Sequence, residues 1–191
     1  MRQYDVVVIG SGPAGQKCAI QASKLGKRVC IVERASSPGG AAVNTGTIPS
    51  KALREAILAA TGRSPFMPRF GDFLAARGKV SLAELFQACQ VIINEEVSMV
   101  RHHFQRNGID LIPGTASFRD ATHIDITGEH SVETVHADRT CIAVGTVPSR
   151  PSNIVFDEVD IFTSDELLRL QHLPPSMIVV GGGVIGTEYA S

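Results

Sequence analysis

Apolar and polar positions along the chain fall into blocks of two different periods. Residues 4–9, YDVVVI, are a short apolar, β-branched run, which predicts a buried strand. GSGPAG (Gly10–Gly15) follows at once, and Gln16 to Leu25 then has helical composition, with Gly26 as its C-cap. Residues 28–32, RVCIV, predict a second strand that ends in Glu33. Together these pieces make a β-α-β unit of about 30 residues, whose strands run parallel. Residues 49–60, PSKALREAILAA, predict a helix with Pro49 in its first turn, where a missing N–H leaves nothing unpaired. Gly62, Pro65 and Pro68 are expected to break it. The clearest helix comes next. Ser81 and Glu84 form a capping box. Leu82, Leu85, Phe86, Cys89, Ile92, Ile93, Val97, Val100 and Phe104 then recur at spacings of three and four, one stripe of a long amphipathic helix that Asn107-Gly108 ends.

Residues 110–144 switch to a strand-like pattern, with segments expected around 110–118, 123–127, 132–137 and 140–144 and a turn near Gly128. This predicts a small antiparallel meander and then a return to the main sheet. Pro148, Pro151, Ser152 and Asn153 mark a crossing out of the domain. A short helix is expected near 165–170, with Thr163 and Glu166 as a second capping box and Pro174-Pro175 as its stop. Residues 177–180, MIVV, read as a further strand, followed by GGGVIG.

The chain repeats itself. Residues 7–19 read VVIGSGPAGQKCA and residues 178–190 read IVVGGGVIGTEYA, so Gly10, Gly12 and Gly15 recur as Gly181, Gly183 and Gly186. The expected fold class is α/β: a Rossmann-like domain with a parallel sheet plus a small antiparallel meander, then the truncated start of a second dinucleotide-binding domain. Expected boundaries are 1–150 for the first domain, 151–175 for a linker with a short helix, and 176–191 for the second unit.

Composition narrows the function. A formal net charge of −1 over 191 residues offers no basic face for nucleic acid or an anionic membrane. The first apolar run is far too short for a signal peptide or membrane span, which makes a soluble cytoplasmic chain the default expectation. Cys18, Cys30, Cys89 and Cys141 form no C-x-x-C or C-x4-C pair, so zinc and a disulfide between near neighbours lack support. His102 and His103 have no accompanying cluster of ligands and read as helix-surface positions.

The first glycine motif carries chemistry because of its setting. It follows a strand, opens a helix, and precedes a strand that ends in an acid. Gly10 permits the tight turn, Gly12 lets the backbone approach a pyrophosphate, and Gly15 allows close helix–strand packing. Glu33, 18 residues past Gly15, is placed to accept hydrogen bonds from a ribose. The alternative is a glycine turn in an ordinary α/β protein. This motif alone does not separate FAD from NAD.

The stretch 39–54, GGAAVNTGTIPSKALR, resembles the pyridine nucleotide–disulfide oxidoreductase family at Gly39-Gly40, Asn44, Gly46 and Ile48-Pro49-Ser50-Lys51. CIAVGTVPSRP resembles that family's second flavin-contacting turn, with Val144 in place of a smaller or hydroxylated residue, and GGGVIGTEYA resembles its NAD(P)-binding motif. The resemblance spans the whole chain and implies an FAD site at Gly10, Ser11, Gly12, Pro13, Ala14, Gly15, Glu33, Arg34, Gly39, Gly40, Ala41, Ala42, Thr45, Gly46, Thr47, Lys51, Ala116, Ala143, Val144 and Gly145. It implies an NAD(P) contact at Gly181, Gly183 and Gly186. Ala116 would approach the adenine through its backbone, in a Gly114-x-Ala116-x-Phe118 strand. Lys51 would lie beside the flavin N5 and Glu188 near the nicotinamide, the two ion-paired and together the catalytic residues.

One departure matters most. Where the disulfide reductases of that family carry two cysteines five positions apart, this chain has Ala42 and Thr47. Neither can form a thiolate, so dithiol–disulfide chemistry of the family type is ruled out. The soluble pyridine nucleotide transhydrogenases share the GTIPSK wording but usually keep a cysteine where Ala42 stands. Without the disulfide, a second nicotinamide is the natural electron acceptor, which implies FAD-dependent hydride transfer from NADPH to NAD+. The rivals are a non-catalytic FAD-binding fragment, a flavin-dependent disulfide reductase with an unfamiliar thiol, and a dihydrolipoamide dehydrogenase-like or NAD(P)H:quinone or dye reductase relative that lacks the redox disulfide. The resemblance implies homodimeric full-length relatives. The 191-residue chain itself is expected to be inactive or weakly active, an expectation that rapid flavin reduction by NADPH would overturn.

Overall fold

The computed structural model describes residues 1–61, 63, 81–170, 172 and 174–191, and the expected break at Gly62, Pro65 and Pro68 lies outside them. Two units can be told apart, one of residues 1–44 and 95–146, the other of residues 45–94 and 147–191.

The first unit is built on the predicted β-α-β. Strand β1 (Arg2–Ile9), helix α1 (Pro13–Lys24) and strand β2 (Val29–Glu33) follow in order. Helix α1 starts three residues earlier than expected, because Pro13 sits in its first turn, where proline is accepted. Gly26 takes φ +76, and its N–H bonds to the carbonyl of Ser23 to close the helix. A five-residue helix, α2 (Gly40–Asn44), follows where no helix was expected. Further along come strands β3 (Asp110–Pro113), β4 (Thr115–Phe118), β5 (His123–Thr127) and β6 (Val132–Ile142).

All six strands belong to one sheet in the order β3-β2-β1-β6-β5-β4. β2 and β6 both flank β1 in parallel, and β3 extends β2 in parallel. β5 pairs antiparallel with β4 and β6. The meander is therefore no separate sheet. The expected strand 110–118 breaks at Gly114, which takes φ +148. A Cβ there would meet the Ile126 side chain and the Thr127 carbonyl oxygen, each at 2.8 Å, so the chain kinks where only glycine fits. The expected strands 132–137 and 140–144 are one strand, β6. Residues 132–136 pair with β5 and residues 135–142 with β1, so the polar Asp138-Arg139 does not end it.

The two ends of the strand order, β3 and β4, are joined by the single residue Gly114, so the sheet curls back on itself. One core fills the inside and draws on all six strands: Tyr4, Val7, Cys30, Val32, Ile112, Ile124, Ile126, Val135 and Ala137, with Ala116 partly buried against them. The other face of the parallel part buries Val8, Val29 and Ile31 against Ala19 of α1 and against Val100 and Phe104. Both faces of β1 and β2 are thus covered, which explains why these strands read as continuous apolar runs rather than alternations.

Val100 and Phe104 come from α4 (Leu82–Arg106), the long helix expected from the stripe. Its capping box forms as expected: Ser81 Oγ accepts from the Glu84 N–H at 3.3 Å, and Glu84 Oε2 accepts from the Ser81 N–H at 2.8 Å. Of the stripe residues, Cys89, Ile93, Val100 and Phe104 are buried, whereas Ile92 lies on the open side. His102 is exposed and His103 half-buried.

The second unit holds the N-terminal part of α4 and α3 (Thr47–Ala60). Ala52, Leu53 and Cys89 form its small core, with Leu85, Phe86, Leu167 and Leu168 against it. The expected helix near 165–170 is only a 3-10 turn over Leu167–Arg169, and half of the expected capping box forms: Glu166 Oε2 accepts from the Thr163 N–H at 2.7 Å, whereas the Thr163 hydroxyl accepts from the Asp165 N–H at 3.3 Å rather than from that of Glu166. Residues 177–180 are not a strand. Strands exist by pairing, and among the described residues none pairs with this segment, whose Ile178 and Val180 are 90% and 96% exposed. Helix α5 (Val184–Ala190) closes the described chain. Among the described residues, no helix is long and apolar enough to cross a membrane.

Candidate functional site

The carboxyl ends of β1, β2 and β6 converge on one loop. The Gly10 N–H bonds to the Val32 carbonyl at 2.9 Å, and the Ala143 N–H bonds to the Ile9 carbonyl at 2.8 Å. Gly10 has φ +103, and a Cβ there would stand 2.3 Å from the Ala143 carbonyl oxygen. The turn thus needs glycine twice over, for its dihedral and for its neighbour. Gly15 lets α1 approach that turn, since a Cβ on it would lie 2.0 Å from the Gly10 carbonyl oxygen.

A second loop meets the first. Gly40 packs on the backbone of Gly12, where a Cβ would come within 2.8 Å of the Gly12 Cα. Gly39 lies against Val43 of α2. Ala41 of α2 is exposed and Ala42 half-buried. At Gly12 itself a Cβ would meet nothing nearer than 3.9 Å, which leaves the backbone bare on that side. Gly12 is the N-cap of α1 without a side-chain cap, and no acidic residue lies in the helix's first turn, which Pro13 and Ala14 begin. The positive end of α1 is thus uncompensated by its own first turn. Beyond β6, Val144 and Gly145 are exposed and Gly145 takes φ +66.

Glu33 stands at the end of β2 beside this loop. Its Oε2 accepts hydrogen bonds from the Ser11 hydroxyl at 2.6 Å and the Ser11 N–H at 2.9 Å, and its Oε1 accepts from the Ala35 N–H at 2.9 Å. Burial opposes ionisation of this carboxyl, but the bonds from Ser11, Ala35 and Arg34 outweigh it and hold Glu33 below the usual carboxylate range. Arg34 itself is exposed. Gly114 bonds through its N–H to the Glu33 carbonyl at 2.9 Å, so β4 starts from the same corner. Ala116 pairs with Ile126 and is partly buried in the core.

Lys51 and Glu188 belong to the second unit. The Lys51 Nζ donates to Glu188 Oε1 at 3.1 Å, and the Ser50 hydroxyl donates to the same oxygen at 3.1 Å. The bonds from Lys51 and then Ser50 hold the Glu188 carboxyl below its ordinary range. Thr47 opens α3 on its exposed side, after Thr45 and Gly46. Ser50 and Gln16, whose side chain donates to the Ser11 carbonyl at 2.9 Å, were not expected from the sequence as parts of either cluster. Nothing in the glycine motif signals Gln16, whereas Ser50 sits inside the matched IPSK wording.

The second glycine motif copies the first in detail. Gly181 takes φ +117, and a Cβ on Gly186 would lie 2.1 Å from the Gly181 carbonyl oxygen. The Thr187 N–H bonds to the Gly183 carbonyl at 2.9 Å, as the Gln16 N–H does to that of Gly12. A Cβ on Gly181 or Gly183 would meet nothing within 4 Å, so this loop lacks the flanking backbone that walls the first.

The four cysteines are free thiols. Burial, aided by a hydrogen bond to Cys141, pushes the Cys18 thiol up; burial pushes Cys89 up and Cys30 up to about 12. These shifts run against thiolate formation and redox attack. Among the described residues, no group of three or more His, Cys, Asp or Glu side chains is placed to hold a metal.

A glycine loop between a parallel strand and a helix, an acid at the end of the next strand, and a repeat of the loop define the class of two-dinucleotide-binding α/β proteins. Residues 4–191 match the family described as pyridine nucleotide-disulphide oxidoreductase, and the chain belongs to that family. It is 49% identical over 193 residues to a soluble pyridine nucleotide transhydrogenase of Mycobacterium bovis (strain BCG / Pasteur 1173P2) and 41% identical to one of Marinomonas sp. (strain MWYL1). All of this chain is covered in both matches, and it spans 41% of the length of each relative. Among solved structures it resembles the Cu(II) complex of the HOCl-induced flavoprotein disulfide reductase RclA from Escherichia coli. That match has a TM-score of 0.78 at 27% identity and covers 100% of this chain and 40% of the other.

Proposed function

We propose that this chain holds FAD at the carboxyl edge of β1, β2 and β6 and is the flavin-binding front part of an NAD(P)+ transhydrogenase. The observation that carries the reading is the bare backbone at Gly12, set beside the uncapped N-terminus of α1 and between two glycine loops. That setting suits a pyrophosphate, because N–H groups and the helix dipole attract it while no side chain blocks its approach. Of the two Glu33 oxygens, Oε2 accepts two hydrogen bonds from Ser11 and Oε1 accepts one from the Ala35 N–H, so Oε1 is the oxygen more open to a ribose hydroxyl. Ala116 on β4 is read as the backbone neighbour of the adenine, and Val144 and Gly145 as the second flavin-contacting turn.

When bound, FAD would supply two-electron chemistry, taking hydride from one nicotinamide nucleotide and returning it to another. Lys51, paired with Glu188, is read as the cation that would oppose negative charge on the ring. Gly181, Gly183 and Gly186 are read as the start of the nicotinamide nucleotide's loop. Ala42 and Thr47 leave no thiol to drain electrons, and the raised thiols of Cys18, Cys30 and Cys89 do not replace one. This favours a second nicotinamide over a disulfide as acceptor, and the transhydrogenase relatives agree with it.

Reconstitution with FAD tests the reading. The chain should take up flavin and show the same number of titratable thiols before and after reduction. In the protein at the length of its relatives, NAD+ should reoxidise the NADPH-reduced enzyme. Failure to take up flavin, or two new thiols on reduction, would overturn it.

A further inference from the structure

We infer that the Ser11 hydroxyl is a positioning device: it fixes the Glu33 carboxylate for the ribose and ties it to the Gly39 loop, without touching the cofactor itself. The inference rests on the flavin reading above and adds to it a residue whose type the glycine motif leaves open.

Ser11 is 0% exposed, and with Ser50 it is one of the two buried polar residues among the described ones. A hydroxyl has a single hydrogen to give. Ser11 gives it to Glu33 Oε2 at 2.6 Å and accepts from the Gly39 N–H at 3.0 Å. With that hydrogen committed and the side chain fully buried, the hydroxyl offers a ligand no exposed surface. Its backbone N–H serves the same Oε2 at 2.9 Å, and its carbonyl accepts from Gln16 at 2.9 Å. One side chain therefore links three pieces: the first glycine loop, the end of β2 and the loop that packs Gly40 on Gly12. The turn needs none of this for its own shape, since the middle position of the motif is sterically free to be alanine. Alanine would keep the backbone bond to Glu33. It would lose the charge-assisted bond from the hydroxyl and leave the buried Gly39 N–H without its acceptor.

The consequence reaches the pH range of cofactor binding. Burial opposes the charge on Glu33, and the Ser11 hydroxyl gives the strongest of the bonds that restore it. Without that bond the carboxyl protonates at higher pH, and a protonated Glu33 loses acceptor capacity for ribose.

The test titrates the flavin-free chain with FAD for wild type, Ser11→Ala, Glu33→Gln and the double variant, with NMR titration of the Glu33 carboxyl alongside. Ser11→Ala should weaken FAD binding about tenfold, as for loss of one bond to a charged group. It should also move the acid limb of binding, and the Glu33 titration, to higher pH. In the Glu33→Gln background the same change should cost less, because the side chain at 33 still accepts a hydrogen bond but no longer carries the charge that strengthens it. Equal loss in both backgrounds, or an unmoved Glu33 titration, would overturn the inference even though FAD still binds. If wild type takes up no FAD, the flavin reading falls and carries this inference with it.

Discussion

A Cβ on Gly15 would stand 2.0 Å from the carbonyl oxygen of Gly10, closer than any pair of unbonded atoms tolerates. Gly186 stands in the same relation to Gly181, at 2.1 Å. The obstacle is backbone in both cases, so no side-chain rotation relieves it. Gly15→Ala should therefore cost about 3 kcal/mol, the upper end for forcing an extra carbon into a packed site, and should abolish FAD uptake. Gly186→Ala meets the same clash in a seven-residue helix of the second unit. It should leave the melting of the first unit unchanged, and urea titration followed at residues of each unit distinguishes the two.

Tyr4 gives a pH prediction at the alkaline end. It is 4% exposed, and its hydroxyl donates to Asp110 Oδ2 at 2.7 Å. Burial and that bond push its ionisation up to about 12. The folded value exceeds the ordinary tyrosine value of about 10, so the stability it contributes is complete below pH 10 or so. It is lost as pH rises from there through about 12. Tyrosinate absorbance should show a delayed step, and Tyr4→Phe should shrink that step, leaving the part due to Tyr189, which burial also raises, and flatten the alkaline fall in stability.

The Lys51–Glu188 pair gives a prediction at the acid end. Glu188 is held below its ordinary range by Lys51 and Ser50, so its contribution is present above the free glutamate value and lost as pH falls through the folded one. Lys51 is 62% exposed along its side chain, and water screens such a pair. Lys51→Met should change stability at neutral pH by less than about 1 kcal/mol. It should nevertheless move the Glu188 titration toward higher pH. An unmoved titration in NMR would show that the pair does not persist in solution.

The sequence carried the β-α-β unit well because its strands are buried on both faces, so every residue of VCIV had to be apolar. It carried the long helix for the complementary reason: a one-sided stripe and a capping box are local signals. The kink at Gly114 went unread, although the residue itself was placed in a strand, because it is set by Ile126 and Thr127, distant in the chain and unrelated to local pattern. MIVV misled for a similar reason, since apolar residues make a strand only when another strand lies beside them. The candidate site divides in the same way. The glycines and Glu33 were visible as a motif. Ser11 occupies the motif's free position, and only the folded chain shows what its hydroxyl does. Lys51 and Glu188 lie 137 residues apart, and resemblance alone paired them in the sequence.

The single-residue join at Gly114 also bears on how this chain behaves among copies of itself. An open six-stranded sheet would present two long rims of unsatisfied amides, each a template for a passing strand. Here the outermost strands are stubs of four residues, and one residue carries the chain from one to the other. A neighbouring molecule finds little rim to copy, and the register of each stub is tied to that of the other. Lengthening that join with flexible residues would free both rims at once, making self-association the first symptom of a change that alters no residue of the core.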